Sequence, residues 1–237
     1  MSHPVIHQSG SCYRIHDASI VDPIPTWLFQ PEALAQRGLL TGASTGRRQA
    51  HFFTHQGRAL VLRHYWRGGM VARLSTDVYA WTGSERTRPI REWRMLNTLR
   101  ERHLPVPRPV AAQACRIGPG YRGDLITERI PESRPWDEWL REGRATEPQL
   151  WQTIGSTLRR FHQAGAWHAD LNVRNILVDV QQTIWLIDWD RGRLHVGPVD
   201  GRGNLKRLKR SLDKHPPLAR LAENGWPHLL KGYETPG

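Results

Sequence analysis

The sequence predicts an α+β chain in two lobes: a small antiparallel β lobe with one main helix, then a mostly helical lobe. Three patterns carry this. Short apolar runs broken by Gly and Pro turns occur between residues 51 and 130, as hairpin strands do. Apolar residues recur at helical spacing in Ile90, Trp93, Leu96 and Leu99, and again in Leu150, Ile154, Leu158 and Phe161. Between the second stripe and the C-terminal third lies a polar loop followed by strand, turn and strand, at residues 170–188. The expected division is an N-terminal arm and first lobe over 1–129 and a second lobe over 130–237.

Residues 1–30 read as irregular, punctuated by Pro4, Pro23 and Pro25. Trp27, Leu28 and Phe29 are expected to pin this arm to the first lobe. Residues 31–37 read as a short helix stopped by Gly38. The segments around His51-Phe52-Phe53 and Ala59-Leu60-Val61-Leu62-Arg63, separated by His55-Gln56-Gly57-Arg58, predict a hairpin preceded by a glycine loop with Gly42 and Gly46. The stretch from Arg63 to Arg91 is long for a connection inside a compact domain. Its Arg, Gly and aromatic content makes it either an exposed basic loop or a grip for an acidic ligand. Residues 111–117 and 123–130 add two strands around Gly118-Pro119-Gly120, giving a lobe of about five strands. In the second lobe, Thr146-Glu147-Pro148-Gln149 resembles a capping box before a helix that Gly165 ends. A helix after Gly203 shows Leu205, Leu208 and Leu212 on one face, with Asn204 able to cap it.

The chemistry concentrates in Trp167-His168-Ala169-Asp170-Leu171-Asn172-Val173-Arg174-Asn175, with Asp188, in Ile187-Asp188-Trp189-Asp190, thirteen residues beyond Asn175. An antiparallel hairpin over 176–187 carries a polar residue at each open end, so Asp170, Asn175 and Asp188 should converge. Two carboxylates and an amide oxygen are hard donors suited to Mg²⁺, with phosphate oxygens completing its shell. The carboxylate not needed for the metal can take a proton from a hydroxyl.

This pattern resembles the catalytic and metal-binding loops of the protein kinase-like superfamily. On that resemblance Asp170 takes the place of the catalytic Asp, and Asn175 and Asp188 those of the Mg²⁺ ligands. Gly42 and Gly46 would lie over the phosphates of ATP, and Arg63 would replace the strand lysine, with Glu92 as its helix partner. Glu128 and Ile130 would form the hinge that pairs with adenine. Several positions depart from regulated protein kinases: Ala169 stands in place of an Arg, Asn172 in place of a Lys, and Trp189-Asp190 in place of Phe-Gly. "HADLNVRNILVD", "VLRHYWRGG" and "IREWRML" are similar to the lipopolysaccharide kinase group, over roughly residues 35–215. That resemblance implies ATP and Mg²⁺ as cofactors. It implies as acceptor the 4-hydroxyl of a 3-deoxy-D-manno-octulosonic acid (Kdo) sugar on a lipid A precursor. A heptose or aminoglycoside kinase, or a nucleic-acid-binding or regulatory pseudokinase, remain the alternatives.

Charge and composition bound the setting. The net charge of +12 calls for an anionic partner. No RNA-recognition signature is present, so nucleic acid is not the expected one. The resemblance points instead to the anionic cytoplasmic face of an inner membrane, approached peripherally by a monomer. Lys206, Arg207, Lys209 and Arg210 are the bases expected to meet that surface. No apolar run is long enough to span a bilayer. All four lysines fall at 206 or beyond, so any earlier cationic role belongs to Arg or His. Two cysteines, Cys12 and Cys115, argue against a disulfide scaffold and fit a reducing compartment.

Overall fold

The structure is a computed structural model that describes residues 2–44, 50–66, 77–143 and 147–235. The chain forms two units. The first comprises residues 1–97 and 107–129, the second residues 98–106 and 130–237.

In the first unit, β1 (Pro4–Ser9) and β2 (Cys12–Asp17) precede α1 (Pro31–Gln36). Then come β3 (Leu40–Ala43), β4 (Ala50–His55), β5 (Arg58–His64), β6 (Tyr79–Ala80), α2 (Arg88–Glu101), β7 (Pro109–Ile117) and β8 (Gly120–Glu128). The strands make one antiparallel sheet in the order β1-β2-β7-β8-β5-β4-β3, with β6 also on β8. Leu28 and Phe29 from the arm and Leu34 from α1 bury against Phe53, Leu60, Leu62, Val110 and Ile126 of the sheet, so arm and sheet share one apolar core. Gln56 and Gly57 both take positive φ in the β4–β5 turn, the geometry that suits a right-handed hairpin.

Two expectations for this unit are corrected. The arm is not irregular: β1 and β2 form a hairpin that, together with the two-residue β6, raises the sheet to eight strands. Every β1 residue is exposed, so the strand lacks the apolar alternation that a sequence reading needs; Pro4 sits at its first position, where no ladder donor is lost. The cysteines are not separate thiols either. Cys12 on β2 lies opposite Cys115 on β7 and the two are joined in a disulfide. With β2 unforeseen, nothing in the sequence placed Cys12 on the strand beside Cys115.

The second unit runs β9 (Arg134–Pro135), α3 (Trp136–Arg141), α4 (Pro148–Gln163), β10 (Ala166–Trp167), β11 (Ile176–Val178), β12 (Ile184–Leu186), β13 (Arg193–Leu194), α5 (Arg202–Asp213) and α6 (Pro216–Glu234). Leu150, Ile154, Leu158 and Phe161 of α4 are all buried, as their spacing predicts, and Gly165 ends that helix at φ +78°. Helices α4 and α6 pack at backbone distance. A Cβ on Gly155 would lie 2.0 Å from the Leu229 carbonyl oxygen, and one on Gly232 would lie 2.1 Å from that of Gln152. Thr146 of the expected capping box lies outside the described residues; α4 starts at Pro148 with no side-chain cap from Glu147.

Candidate active site

The loop 168–175 is held from below by neutral, buried groups. His168 is 2% exposed. Its Nε2 bonds the Ile187 carbonyl at 2.9 Å, and its Nδ1 accepts the Asp170 N–H at 3.1 Å. A carbonyl can only accept, so Nε2 carries the proton and the ring is the neutral Nε2–H tautomer. Burial lowers the His168 pKa, against opposing pulls from the Ile187 carbonyl and from Asp188 and Asp170, which keeps it neutral. One imidazole thus ties the backbone of Asp170 to the residue before Asp188.

The hairpin forms as the sequence predicts. Ile176 pairs with Leu186 and Val178 with Ile184, and Asp179 closes the turn by accepting from Gln181 N, Thr183 N and Trp185 Nε1. At its open end Ile187 N donates to the Asn175 carbonyl at 3.0 Å, so Asn175 and the segment bearing Asp188 are neighbours. Asn175 Nδ2 donates to the Asp170 carbonyl at 2.9 Å. No described residue donates to its Oδ1, which is left as an acceptor facing away from that bond. Asp188 adopts φ +62°, a left-handed conformation that Asp tolerates better than most residues. The chain swings there, and the next residue, Trp189, drops into the core. Trp189 is 1% exposed, stacks on Phe161 at 5.2 Å and tilts against His168 at 4.7 Å. The indole therefore anchors the Asp188 turn where regulated kinases use Phe.

Helix α5 grips the same loop along one face. Asn204 Nδ2 donates to the His168 carbonyl at 2.7 Å, and its Oδ1 accepts from His168 N at 3.2 Å and His162 Nε2 at 3.0 Å. Ser211 Oγ accepts Val173 N at 3.0 Å. Arg207, between them, bonds Asp170 Oδ1 through Nη1 at 3.1 Å. The expected capping role of Asn204 is corrected: it lies inside α5, 1% exposed, and spends its amide on the backbone of the 168–175 loop. His162 completes the support with a bond to the Tyr233 hydroxyl at 2.9 Å, and burial lowers its pKa. A Cβ on Gly201 would lie 2.2 Å from both His162 Nδ1 and that hydroxyl, so only glycine fits at the position just before α5. Arg174 reaches back to buried Asp137 of α3 at 3.3 Å.

Sequence reasoning missed His162 altogether, and it missed the clamp that Asn204 makes on the loop and the anchoring of the Asp188 turn by Trp189. A polar residue on the apolar face of α5, one position before Leu205, was the available signal for Asn204.

In the first unit, Arg63 lies one residue before the end of β5, and its guanidinium bonds Glu92 of α2 and the Tyr65 hydroxyl. Tyr65 also donates to Glu92 at 2.5 Å. Glu92 is 3% exposed, so a carboxylate sits inside the unit with a cation and a phenol on it. The predicted Arg63–Glu92 pair is therefore formed. Gly42 lies in β3 at a bulge. Gly46 and its neighbours Arg47 and Arg48 lie outside the described residues, as do Arg67, Gly68, Gly69 and Arg73 of the long segment. The described part of that segment packs on the sheet: Tyr79 stacks on Tyr121, and Arg88 bonds the Tyr79 hydroxyl at 2.5 Å. Glu128 ends β8, with its N–H on the Arg108 carbonyl and its side chain on Arg58 at 2.9 Å. Arg129 N–H is taken by the Ala59 carbonyl. Ile130 opens the second unit and is buried.

Mg²⁺ fits the donors present. Among the described residues no group of three His, Cys, Asp or Glu side chains could hold a metal. Asp188 and the Asn175 amide oxygen are one carboxylate and one neutral oxygen, and Mg²⁺ commonly takes a single carboxylate and leaves the rest of its shell to water and phosphate.

Sheet, hairpin and loop together define a protein kinase-like architecture. The chain belongs to the lipopolysaccharide kinase (Kdo/WaaP) family, whose sequence profile matches residues 32–233. It is similar to the 3-deoxy-D-manno-octulosonic acid kinase of Vibrio cholerae, 39% identical over 198 residues, or 84% of each chain. It is 45% identical to that of Stenotrophomonas maltophilia strain K279a over 189 residues, covering 79% of this chain and 74% of the relative. It is also 36% identical to that of Photobacterium profundum over 222 residues, 93% of this chain and 94% of the relative. Among solved structures it resembles WaaP in complex with acyl carrier protein, with a TM-score of 0.56 at 16% identity over 85% of this chain and 82% of that one. That likeness is one of fold.

Proposed function

We propose that this protein is an ATP-dependent kinase that phosphorylates the 4-hydroxyl of a Kdo residue on a lipid A precursor. Family membership and the shared name of the relatives support the acceptor. The single observation that carries the chemistry is the Asp170 carboxylate at the mouth of a loop whose backbone His168, Asn175 and Asn204 hold rigid. ATP supplies the phosphoryl group, and Mg²⁺ on Asp188 and Asn175 would offset the charge of its phosphates. Asp170 orients the acceptor hydroxyl and takes its proton as the oxygen bonds to phosphorus; ADP carries off the bridging oxygen. Of the first lobe, residues 1–129, Arg63 positioned by Glu92 is the proposed contact to the nucleotide phosphates, and Gly42, Gly46, Glu128 and Ile130 are the further proposed nucleotide-binding residues. The second lobe, residues 130–237, carries the base and the metal ligands of this proposal.

We place the enzyme peripherally, at the anionic cytoplasmic face of the inner membrane, as a monomer. Among the described residues no helix is long and apolar enough to cross a membrane. The net charge of +12 supports attraction to anionic lipid. Of the four α5 bases first expected there, Arg207 is engaged by Asp170 and Lys209 by Asp213, so exposed Lys206 and Arg210 remain for the surface.

The test is mass spectrometry of a Kdo-bearing lipid A precursor after incubation with protein, ATP and Mg²⁺. The expected product carries one added phosphate, which NMR places on the 4-position. No mass gain over a no-enzyme control rejects the proposal.

A further inference from the structure

Arg207 is the residue for which neither the fold nor the reaction yet accounts. Its guanidinium lies at the Asp170 carboxylate, the group that must be available to an incoming hydroxyl. Its position is set, not incidental: Asn204 three residues before it and Ser211 four residues after it fasten α5 to the loop through main-chain hydrogen bonds. The nearer candidate for a cation beside the base, Asn172, carries no charge. Its amide is spent closing the loop, accepting Arg174 N at 3.0 Å and donating to the Asp170 carbonyl at 2.9 Å.

The pair is built to open. Its side chains are 44% and 54% exposed, where an ion pair is worth at most about 1 kcal/mol. It uses one N–H on one carboxylate oxygen, and no other described residue accepts from Arg207. A guanidinium offers five N–H groups in a planar fork that fits a second carboxylate.

We infer that Arg207 reads the carboxylate of an acidic sugar acceptor, exchanging Asp170 for it when the acceptor binds and so releasing Asp170 to take the hydroxyl proton. This rests on the sugar kinase reading above and adds the selection rule. An acceptor bearing a carboxylate a few bonds from its reacting hydroxyl satisfies Arg207 and Asp170 together. A neutral sugar leaves the guanidinium on the base, which it holds by the lone pairs that should receive the proton.

The probes are a Kdo glycoside with a free carboxylate and its carboxamide, which is similar in shape and uncharged. Turnover with ATP and Mg²⁺ and equilibrium binding without nucleotide are measured for wild type, Arg207→Gln and Arg207→Lys. Wild type should prefer the acid by roughly ten- to a hundredfold in kcat/KM, the scale of one charge-assisted contact. Arg207→Gln should bring acid and amide to within about threefold, by weakening the acid alone, and Arg207→Lys should keep part of the preference. Equal loss for both acceptors, with the preference intact, would overturn the inference and assign Arg207 to the migrating phosphoryl group. Binding separates the two levels: an acid preference in binding that Arg207→Gln removes, without turnover of either probe, upholds the carboxylate contact while refuting the kinase reading. Turnover of both probes without preference does the reverse.

Discussion

Two arginine–carboxylate pairs occupy this protein, and they differ in what surrounds them. Arg63 and Glu92 meet in the first unit, where the Glu92 side chain is 2% exposed and Tyr65 adds a hydrogen bond. Arg207 and Asp170 meet in the second, both about half exposed and without a third group. A buried carboxylate that loses its cation stays uncompensated, so the first pair is permanent. An exposed one is re-solvated at little cost, so the second pair can trade partners. The same two functional groups thus serve as a strut in one unit and as an exchangeable contact in the other, and burial alone makes the difference.

The largest effect expected is at the exchangeable pair's acid. Asp170→Ala should lower turnover by about 10²–10⁴-fold or more, since it removes the proton acceptor, while ATP binding measured by calorimetry stays near wild type. Wild-type turnover in that variant would end both the assignment of the base and the contrast drawn above.

The strut is tested by Arg63→Lys. An ammonium on a shorter reach cannot bond Glu92 and Tyr65 and still fork onto phosphate, so the KM for ATP or the rate should suffer about tenfold. If lysine matches arginine there, Arg63 is a passive replacement and the two pairs differ less than their burial implies.

Acid should separate the two settings again. Burial depresses the pKa values of His162 and His168 below the usual range of about 6.5. Their neutral forms bond in the folded state, so the stability they contribute is present above the unfolded pKa and is lost as pH falls through the folded one. Thermal melts should therefore show a falling Tm from about pH 6.5 downward, and a His168→Asn variant should show a shallower slope over the same range. An unchanged slope would mean that His168 does not brace the loop in its neutral form.

The smallest effect concerns the outer side of α5. Flotation with anionic vesicles should weaken in high salt and in Lys206→Gln/Arg210→Gln, each base contributing about 1 kcal/mol. Arg207→Gln should change flotation less than the double variant if Arg207 faces Asp170. Binding indifferent to both salt and the double variant points away from α5 as the membrane-facing surface.

Much of the second unit was legible because its signals are local. The hairpin over 176–187 follows from two apolar triplets around a polar turn, and the α4 stripe from four residues at helical spacing. The first unit was less legible where its order depends on distant strands. Nothing within residues 4–9 marks a strand, since its ladder partner is β2 and β2 in turn needs β7, about a hundred residues away. The disulfide hides behind the same step.

By itself the sequence singled out the candidates for the chemistry, the acids and amide at 170, 175 and 188 and an Arg in place of Lys at 63, because residue type and short spacing are written in the chain. Tertiary structure alone decided their partners. It turned Asn204 from a supposed helix cap into a clamp on His168, buried Trp189 under the Asp188 turn, and set Arg207 against Asp170 from 37 residues away. Such contacts depend on how α5 docks, and docking is fixed by the summed packing of Leu205, Leu208 and Leu212 and the main-chain bonds beside them, which no short stretch of sequence encodes.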